Sequence, residues 1–354
     1  MNNFKNIILK PKKIISILSV VLITGLIVYG FILVRQIFAV NTKFTENELY
    51  VHVPTNANYD EVKNILTDYV SNLKTFEMVA SKMSYPENVK SGRFLLTKGM
   101  NSYELVKAMR INIPVKLSFN NQERLENFAG RVGSQIEADS LSLLTSFRDS
   151  IFLAENGFNE KNVLAMFIPN TYEIYWNTSA GKFRDKMIKE YRIFWNKERL
   201  AKAEQIGLSP IEVTILASIV HKESVKKDER PRIAGVYLNR LRLGMPLQAD
   251  PTVIYAIKEK QNDFNQVIKR VFFNDLRMTS PYNTYINIGL PPGPIAMPDI
   301  TALEAVLSPE KNDYIYFCAS VDRFGYHEFA ATLKEHNINA KKYSNWINSQ
   351  GVKR

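Results

Sequence analysis

The stretch SPIEVTILASIVHKES, residues 209–224, fixes both the start and the register of one helix. Ser209 falls at the N-cap, Pro210 at the first helical position and Glu212 at the third, which together spell a capping box. Counting forward, Leu216, Ile219 and Val220 share a face, and Glu223, four residues after Ile219, continues it. A carboxylate therefore ends an otherwise apolar stripe. Desolvation there disfavours the ionised form, which gives the group the protonation that a general acid needs near neutral pH. The competing reading is a helix that frays into its charged end, HKESVKKDER, with Glu223 paired at the surface to Lys226 or Lys227. His221 points about 200° around the helix from Glu223 and so leaves the stripe.

Downstream, Asp228 can cap the next helix and Gly244 can close it. Gln248-Ala249-Asp250-Pro251-Thr252 then opens another, with Asp250 as N-cap and Pro251 at the first helical position. Capping alone accounts for Asp250. Tyr282-Asn283-Thr284-Tyr285 leads into GLPPGPI, residues 289–295. Rings beside amide and hydroxyl groups suit sugar faces and N-acetyl groups; a loop stiffened by proline is the plainer account. The apolar run Tyr314 to Ala319 reads as a strand, and the single cysteine, Cys318, reads as a core thiol within it. One cysteine excludes an intramolecular disulfide and a cysteine-based metal cluster.

Upstream, Leu49 to Val53 alternates as a strand, and residues 54–58 break it. Apolar residues then recur at helical spacing from Tyr59 to Phe76. Strand candidates Gly92 to Leu96 and Ile113 to Phe119 flank a helix at Tyr103 to Met109, with Ser102 as its N-cap, so that residues 44–120 read as a small α+β unit. Between Glu123 and about Ile206 the pattern is mainly helical.

The chain has 354 residues, a net charge of +11 and an ordinary globular composition, 45% hydrophobic and 23% charged. Lys5, Lys10, Lys12 and Lys13 carry four of those charges just ahead of Ile14 to Val34, a run without a charged residue. At 1.5 Å per residue such a run crosses a hydrocarbon core of about 30 Å, and it is longer than the apolar centre of a cleaved signal peptide. Residues 14–34 therefore read as a transmembrane helix. The lysines before it, against Arg35 alone behind it, place residues 1–13 in the cytoplasm and everything from about residue 36 outside. The remaining +7 is dispersed: Lys226-Lys227 and Lys341-Lys342 are short clusters with no array of stacking aromatics. No nucleic-acid partner is expected, and an exported, mildly basic domain fits an anionic surface such as cell wall or lipid headgroups.

Five stretches, taken together and in order, resemble one family: FIPNTYEIYW at 167–176, LASIVHKES at 216–224, YLNRLRLGMPLQADPTVIYA at 237–256, YNTYINIGLPPGPIAMP at 282–298 and HEFAATLKEHN at 327–337. The chain is similar along nearly its whole length to the endolytic murein (lytic) transglycosylases of the MltG, or YceG-like, type. The resemblance implies an α+β fold with a single N-terminal transmembrane helix, a LysM-like subdomain at 44–120, matched through GRFLLTKGMNSYELVKAM, and a larger catalytic domain at 121–350. The family's catalytic glutamate falls on Glu223. Many members carry a second glutamate two residues earlier, where this chain has His221. Gln248, Asp250, Tyr282, Asn283 and Tyr285 match family motifs as candidate sugar contacts.

The resemblance also implies a reaction. Ordinary glycosidases use two carboxylates; a lytic transglycosylase manages with one, because the 6-hydroxyl of N-acetylmuramic acid is an internal nucleophile. It cleaves the MurNAc–GlcNAc bond within a nascent glycan strand and leaves a 1,6-anhydro end, acting as a terminase of glycan polymerisation. Peptidoglycan strands are then the substrate and peptidoglycan synthases the expected partners at the membrane, with no cofactor and no metal. His327 and His336 read as structural hydrogen-bonding groups. Two alternatives stand beside this one: a muramidase-type hydrolase in which Asp250 or Glu229 activates water, and a wall-binding scaffold without chemistry.

Overall fold

The computed structural model describes residues 11–349, so Lys5 and Lys10, and the chain beyond residue 349, lie outside the described residues. It divides into two compact units, one of residues 1–115 with 174–177 and one of 116–173 with 178–354.

The smaller unit begins with α1 (Pro11–Phe38), apolar and exposed along most of its length, which suits membrane anchoring. Next come β1 (Glu48–Val53), α2 (Tyr59–Leu66), α3 (Leu73–Lys82), β2 (Gly92–Thr97) and α4 (Ser102–Ala108). β1 and β2 pair antiparallel, Val51 opposite Phe94 and Val53 opposite Gly92. Their inward residues Val51, Val53, Phe94 and Leu96 meet Val62, Leu66, Phe76 and Leu105 in one core. Each such side chain contributes roughly 1.5–3 kcal/mol on burial.

Two local expectations need correction. The helix expected over 59–76 is two helices, because residues 69–72 pair with another segment: Lys43 N–H donates to Tyr69 O at 3.0 Å and Ser71 N–H to Asn41 O at 3.0 Å. The buried Asn41 carboxamide holds Asn72 at both its N–H and its C=O, and the Asn72 side chain caps α3. Ser102 does not cap α4. Asn101 does, in a capping box with Glu104, while the Ser102 hydroxyl, fully buried, accepts from Asn41 at 2.8 Å.

The division between the units falls inside β3 (Pro114–Ser118) and β4 (Thr171–Tyr175). The larger unit contains α5 (Leu125–Gly133), α6 (Ser140–Phe147), α7 (Ser150–Glu155), α8 (Ala180–Phe194), α9 (Lys197–Gln205), α10 (Pro210–Glu223), α11 (Arg230–Arg242), α12 (Asp250–Gln261) and α13 (Ile300–Leu307). It closes with the antiparallel pair β5 (Tyr316–Ala319) and β6 (His327–Ala330), then α14 (Leu333–Ser349). β5 is shorter at its start than expected, since the Tyr314 carbonyl is taken by the Asn239 side chain instead. α10 is the axis of this unit and packs against α11, α12 and α13. It is buried on every side from Val213 to Val220, not along one stripe, and no residue of that run is more than 4% exposed.

Candidate active site

The capping box at the start of α10 is present in full: Glu212 N–H donates to Ser209 Oγ at 3.3 Å and Ser209 N–H to Glu212 Oε2 at 2.8 Å. The start so fixed delivers Glu223 at the last helical position, at the mouth of the buried core. Glu223 does not pair with Lys226 or Lys227. It is partly exposed, opening on a cavity of about 250 Å³ lined also by Arg240, Leu247, Gln248, Asp250, Tyr285, Phe317, Cys318 and His327. Tyr237, one helix on and 1% exposed, donates its hydroxyl to Glu223 Oε1 at 2.7 Å. Burial is the main cause that pushes the Glu223 carboxyl up to about 7; the Tyr237 hydrogen bond and nearby His327 pull it down, and Asp250 adds to the rise. Burial, with the charge of Glu223, also holds the Tyr237 hydroxyl well above its ordinary value, so it stays a donor. With Oε1 occupied by that donor, the acidic proton belongs on Oε2, which has no hydrogen-bond partner among the described residues.

The other candidate residues separate into two groups. Gln248, Asp250 and Tyr285 border the Glu223 cavity. Asp250 is not the N-cap of α12: Ala249 takes that position, and the Asp250 carboxylate accepts from Tyr285 Oη at 2.5 Å. Gln248 sits at φ +53°, a left-handed conformation that costs a residue with a Cβ roughly 1–2 kcal/mol. Thr284, 1% exposed, holds it there, since its carbonyl accepts from Gln248 N–H at 3.0 Å and its hydroxyl from Ala249 N–H at 3.0 Å. Strain of this kind persists where the surroundings over-determine it, as at binding sites.

Tyr282 and Asn283 are not brought to this cavity. Tyr282 packs on Tyr255 at 4.6 Å between ring centres and lines a separate cavity with Glu123, Arg124 and Glu259. Asn283 is fully buried, and its amide donates to the carbonyls of Leu276 and Met278, so it shapes the loop from inside. Gly293 in the following motif has a packing reason, because a Cβ there would collide with the Lys161 carbonyl.

Asp228 does not cap α11: Glu229 takes the N-cap position, without a side-chain cap, and Asp228 accepts from Tyr326 Oη instead. Gly244 closes α11 as expected, in the left-handed conformation just past its end. His221 faces Asp299, 3.2 Å away, and borders a different cavity. Cys318 is half-buried and borders the Glu223 cavity, so it is not a core thiol.

Tyr237, Arg240 and His327 complete the site and were not legible as site residues. Tyr237 and Arg240 lie within the motif at 237–256, where periodicity marks them only as core and helix end. Arg240, 7% exposed, donates to the carbonyls of Ile315 and Leu247, which ties α11 to the loop carrying Gln248. His327 is hydrogen-bonded to Glu229, as a structural histidine would be, and also borders the cavity.

The candidate site thus centres on one carboxyl raised to about 7 at the end of a buried helix, in an α+β protein with one apolar N-terminal helix among the described residues. The YceG-like family model matches residues 51–342, and the chain belongs to that family. It is 27% identical over 342 residues to a Bacillus subtilis protein named endolytic murein transglycosylase, with 91% of each chain covered. A Streptococcus pneumoniae protein of the same name is 26% identical over 332 residues; the match takes in 83% of this chain but spans only 58% of that longer relative. The crystal structure of a YceG-like protein from Listeria monocytogenes superposes with a TM-score of 0.56 at 29% identity, covering 83% of this chain and 99% of that one.

Proposed function

We propose that this chain is a membrane-anchored endolytic peptidoglycan lytic transglycosylase with Glu223 as its acid and base. The observation that carries the reading is the Glu223 carboxyl, pushed up to about 7 with Oε2 unpartnered toward the cavity. At pH 7 about half of such a group is protonated, against roughly one in 300 for an ordinary glutamate. Glu223 gives the Oε2 proton to the bridging oxygen as the bond to the muramic anomeric carbon breaks. The resulting carboxylate takes the proton of the sugar's 6-hydroxyl as that oxygen closes on the same carbon. The proton count returns to its start, no water is consumed, and the product is a 1,6-anhydromuramoyl end. Holding both reactive groups in one sugar supplies the proximity that a second protein group would otherwise provide.

Gln248, Asp250 and Tyr285 serve as sugar contacts at the cavity rim. The names of the Bacillus and Streptococcus relatives support the reaction and substrate. α1 anchors the chain with its N-terminus in the cytoplasm and the larger unit outside, and the enzyme ends nascent strands beside the synthases that make them. The β1–α2–α3–β2 unit, the LysM-like subdomain of the sequence reading, holds glycan without doing chemistry.

One observation favours a second reading: Asp250 shares the cavity, and a second carboxylate could activate water as in a hydrolase. Against it, Asp250 is engaged by Tyr285 at 2.5 Å. Mass spectrometry of murein incubated with the purified full-length protein separates the two. Anhydromuramoyl ends support the transglycosylase, reducing muramic ends support the hydrolase, and no cleavage removes both.

A further inference from the structure

Beside the cavity lies a second buried polar arrangement that the reaction above leaves without a role, and of its members His327 reaches the cavity wall. Glu229 is 4% exposed, and a carboxylate so buried needs full compensation. Its Oε1 accepts the backbone N–H of His327 at 2.8 Å, while Oε2 lies 2.8 Å from His327 Nδ1 and accepts from Ser224 Oγ at 3.3 Å. Ser224 is the residue on which α10 ends, directly after Glu223. One carboxylate therefore ties the end of the helix that bears the acid to β6. Phe317 packs edge-on against both neighbours, at 5.1 Å from His327 and 5.7 Å from Tyr237 between ring centres. A carboxylate can only accept, so Nδ1 carries a proton in either charge state of the ring. Nε2 is left without a protein partner among the described residues, on a side chain that borders the Glu223 cavity.

We propose that Glu229 and His327 act as one positioning unit for Glu223: the buried carboxylate fixes the imidazole so that its Nε2 edge is held toward the cavity, where the carboxylate forms when the acid has given up its proton. The inference rests on the proposed transglycosylase reading and deepens it. Glu223 has to be an acid in the first half of the reaction and a carboxylate in the second. Burial favours the first state. The groups facing it are Tyr237 and Arg240 from α11, Asp250 from α12, Tyr285 from the following loop, Cys318 from β5 and His327 from β6. Of these, Tyr237 and His327 favour the carboxylate and Asp250 opposes it. Arg240 donates to backbone carbonyls and to the Gln248 amide oxygen, and none of its hydrogen bonds among the described residues goes to Glu223. His327 is thus the group placed to support the second half, and Glu229 is what keeps it in place.

The test is the pH dependence of kcat/KM on purified murein, between about pH 5.5 and 9, with the full-length protein in detergent micelles. Wild type is compared with His327→Gln, Glu229→Gln and the double variant. Removing the imidazole takes away one of the causes that lower the Glu223 carboxyl, so the alkaline limb should move up by about half to one pH unit while kcat falls roughly tenfold. Glu229→Gln should move the limb the same way, and the double variant should move it no further than the larger single change, because the two residues act through one contact. A fall in rate at every pH with the limb unmoved would reduce the pair to a structural clamp and overturn the proposal. Should Glu229→Gln fail to fold, His327→Gln and His327→Asn, which leave the backbone contact to Glu229 in place, decide the matter. If the wild type gives no anhydro ends, the underlying reaction is wrong; if it gives them and the limb stays, this inference alone is.

Discussion

Replacing Glu223 by glutamine should stabilise the fold while abolishing the chemistry, and the size of the gain follows from the site. The carboxyl moves from an ordinary 4.5 to about 7 on folding. Below about pH 4 both folded and unfolded chains hold the proton and nothing is gained or lost. Between 4.5 and 7 the unfolded chain releases its proton while the folded one keeps it, so stability drains away as pH rises, and above 7 the loss is complete. At 1.36 kcal/mol per tenfold, the ceiling is about 3 kcal/mol. Because Glu223 is partly exposed to the cavity, solvent screens the effect, and about half of that is the expected gain. For a unit of this size that corresponds to a rise of roughly 3–6 °C in Tm. Glutamine never ionises and keeps an oxygen for Tyr237, so the variant should match wild type near pH 4 and exceed it at pH 8. Thermal unfolding followed by circular dichroism at the two pH values measures this. Equal Tm values at pH 8, or a gain present equally at pH 4, would refute a desolvated, protonated Glu223.

Tyr237→Phe removes the donor to Glu223 Oε1, one of the causes that lower its carboxyl, so the alkaline limb of wild-type activity, centred near 7, should shift upward by about one pH unit; an unmoved limb would deny the contact its role. His221→Gln, on a side chain that meets Asp299 and a different cavity, should retain most of the cleavage rate, and a loss as large as that of Glu223→Gln would move the acid to the wrong residue. Protease added to intact spheroplasts should digest the chain beyond residue 36 while α1 stays in the membrane fraction; a soluble mature form beginning near Asn41 would contradict the anchor.

What the sequence made legible follows from how local each signal is. The Ser209 box and the register it sets could be read to the last residue of α10, because capping and helical periodicity act within a few positions. The break between α2 and α3 could not, since it depends on Asn41, some thirty residues away, competing for the backbone around Asn72. In the sequence Asp250 reads as a cap as readily as a sugar contact, because aspartate before proline suits a helix start, and the partner that claims it, Tyr285, lies 35 positions downstream. Tyr282 and Tyr285 are indistinguishable by composition; only the fold turns one into the core beside Tyr255 and the other toward Asp250. His327 and Glu229 lie 98 positions apart, and no periodicity links a strand residue to the start of a helix.

The central claim is that proton transfer rests on Glu223 alone. The most direct measurement is the quantity of anhydromuramoyl ends released from the same purified murein by full-length wild type and by Glu223→Gln, each checked for folding and for co-sedimentation with the murein. The account predicts anhydro ends from the wild type and a loss of at least about 10²-fold in the variant, with binding retained. Near-normal release by Glu223→Gln would contradict it and make Asp250 the next residue to test.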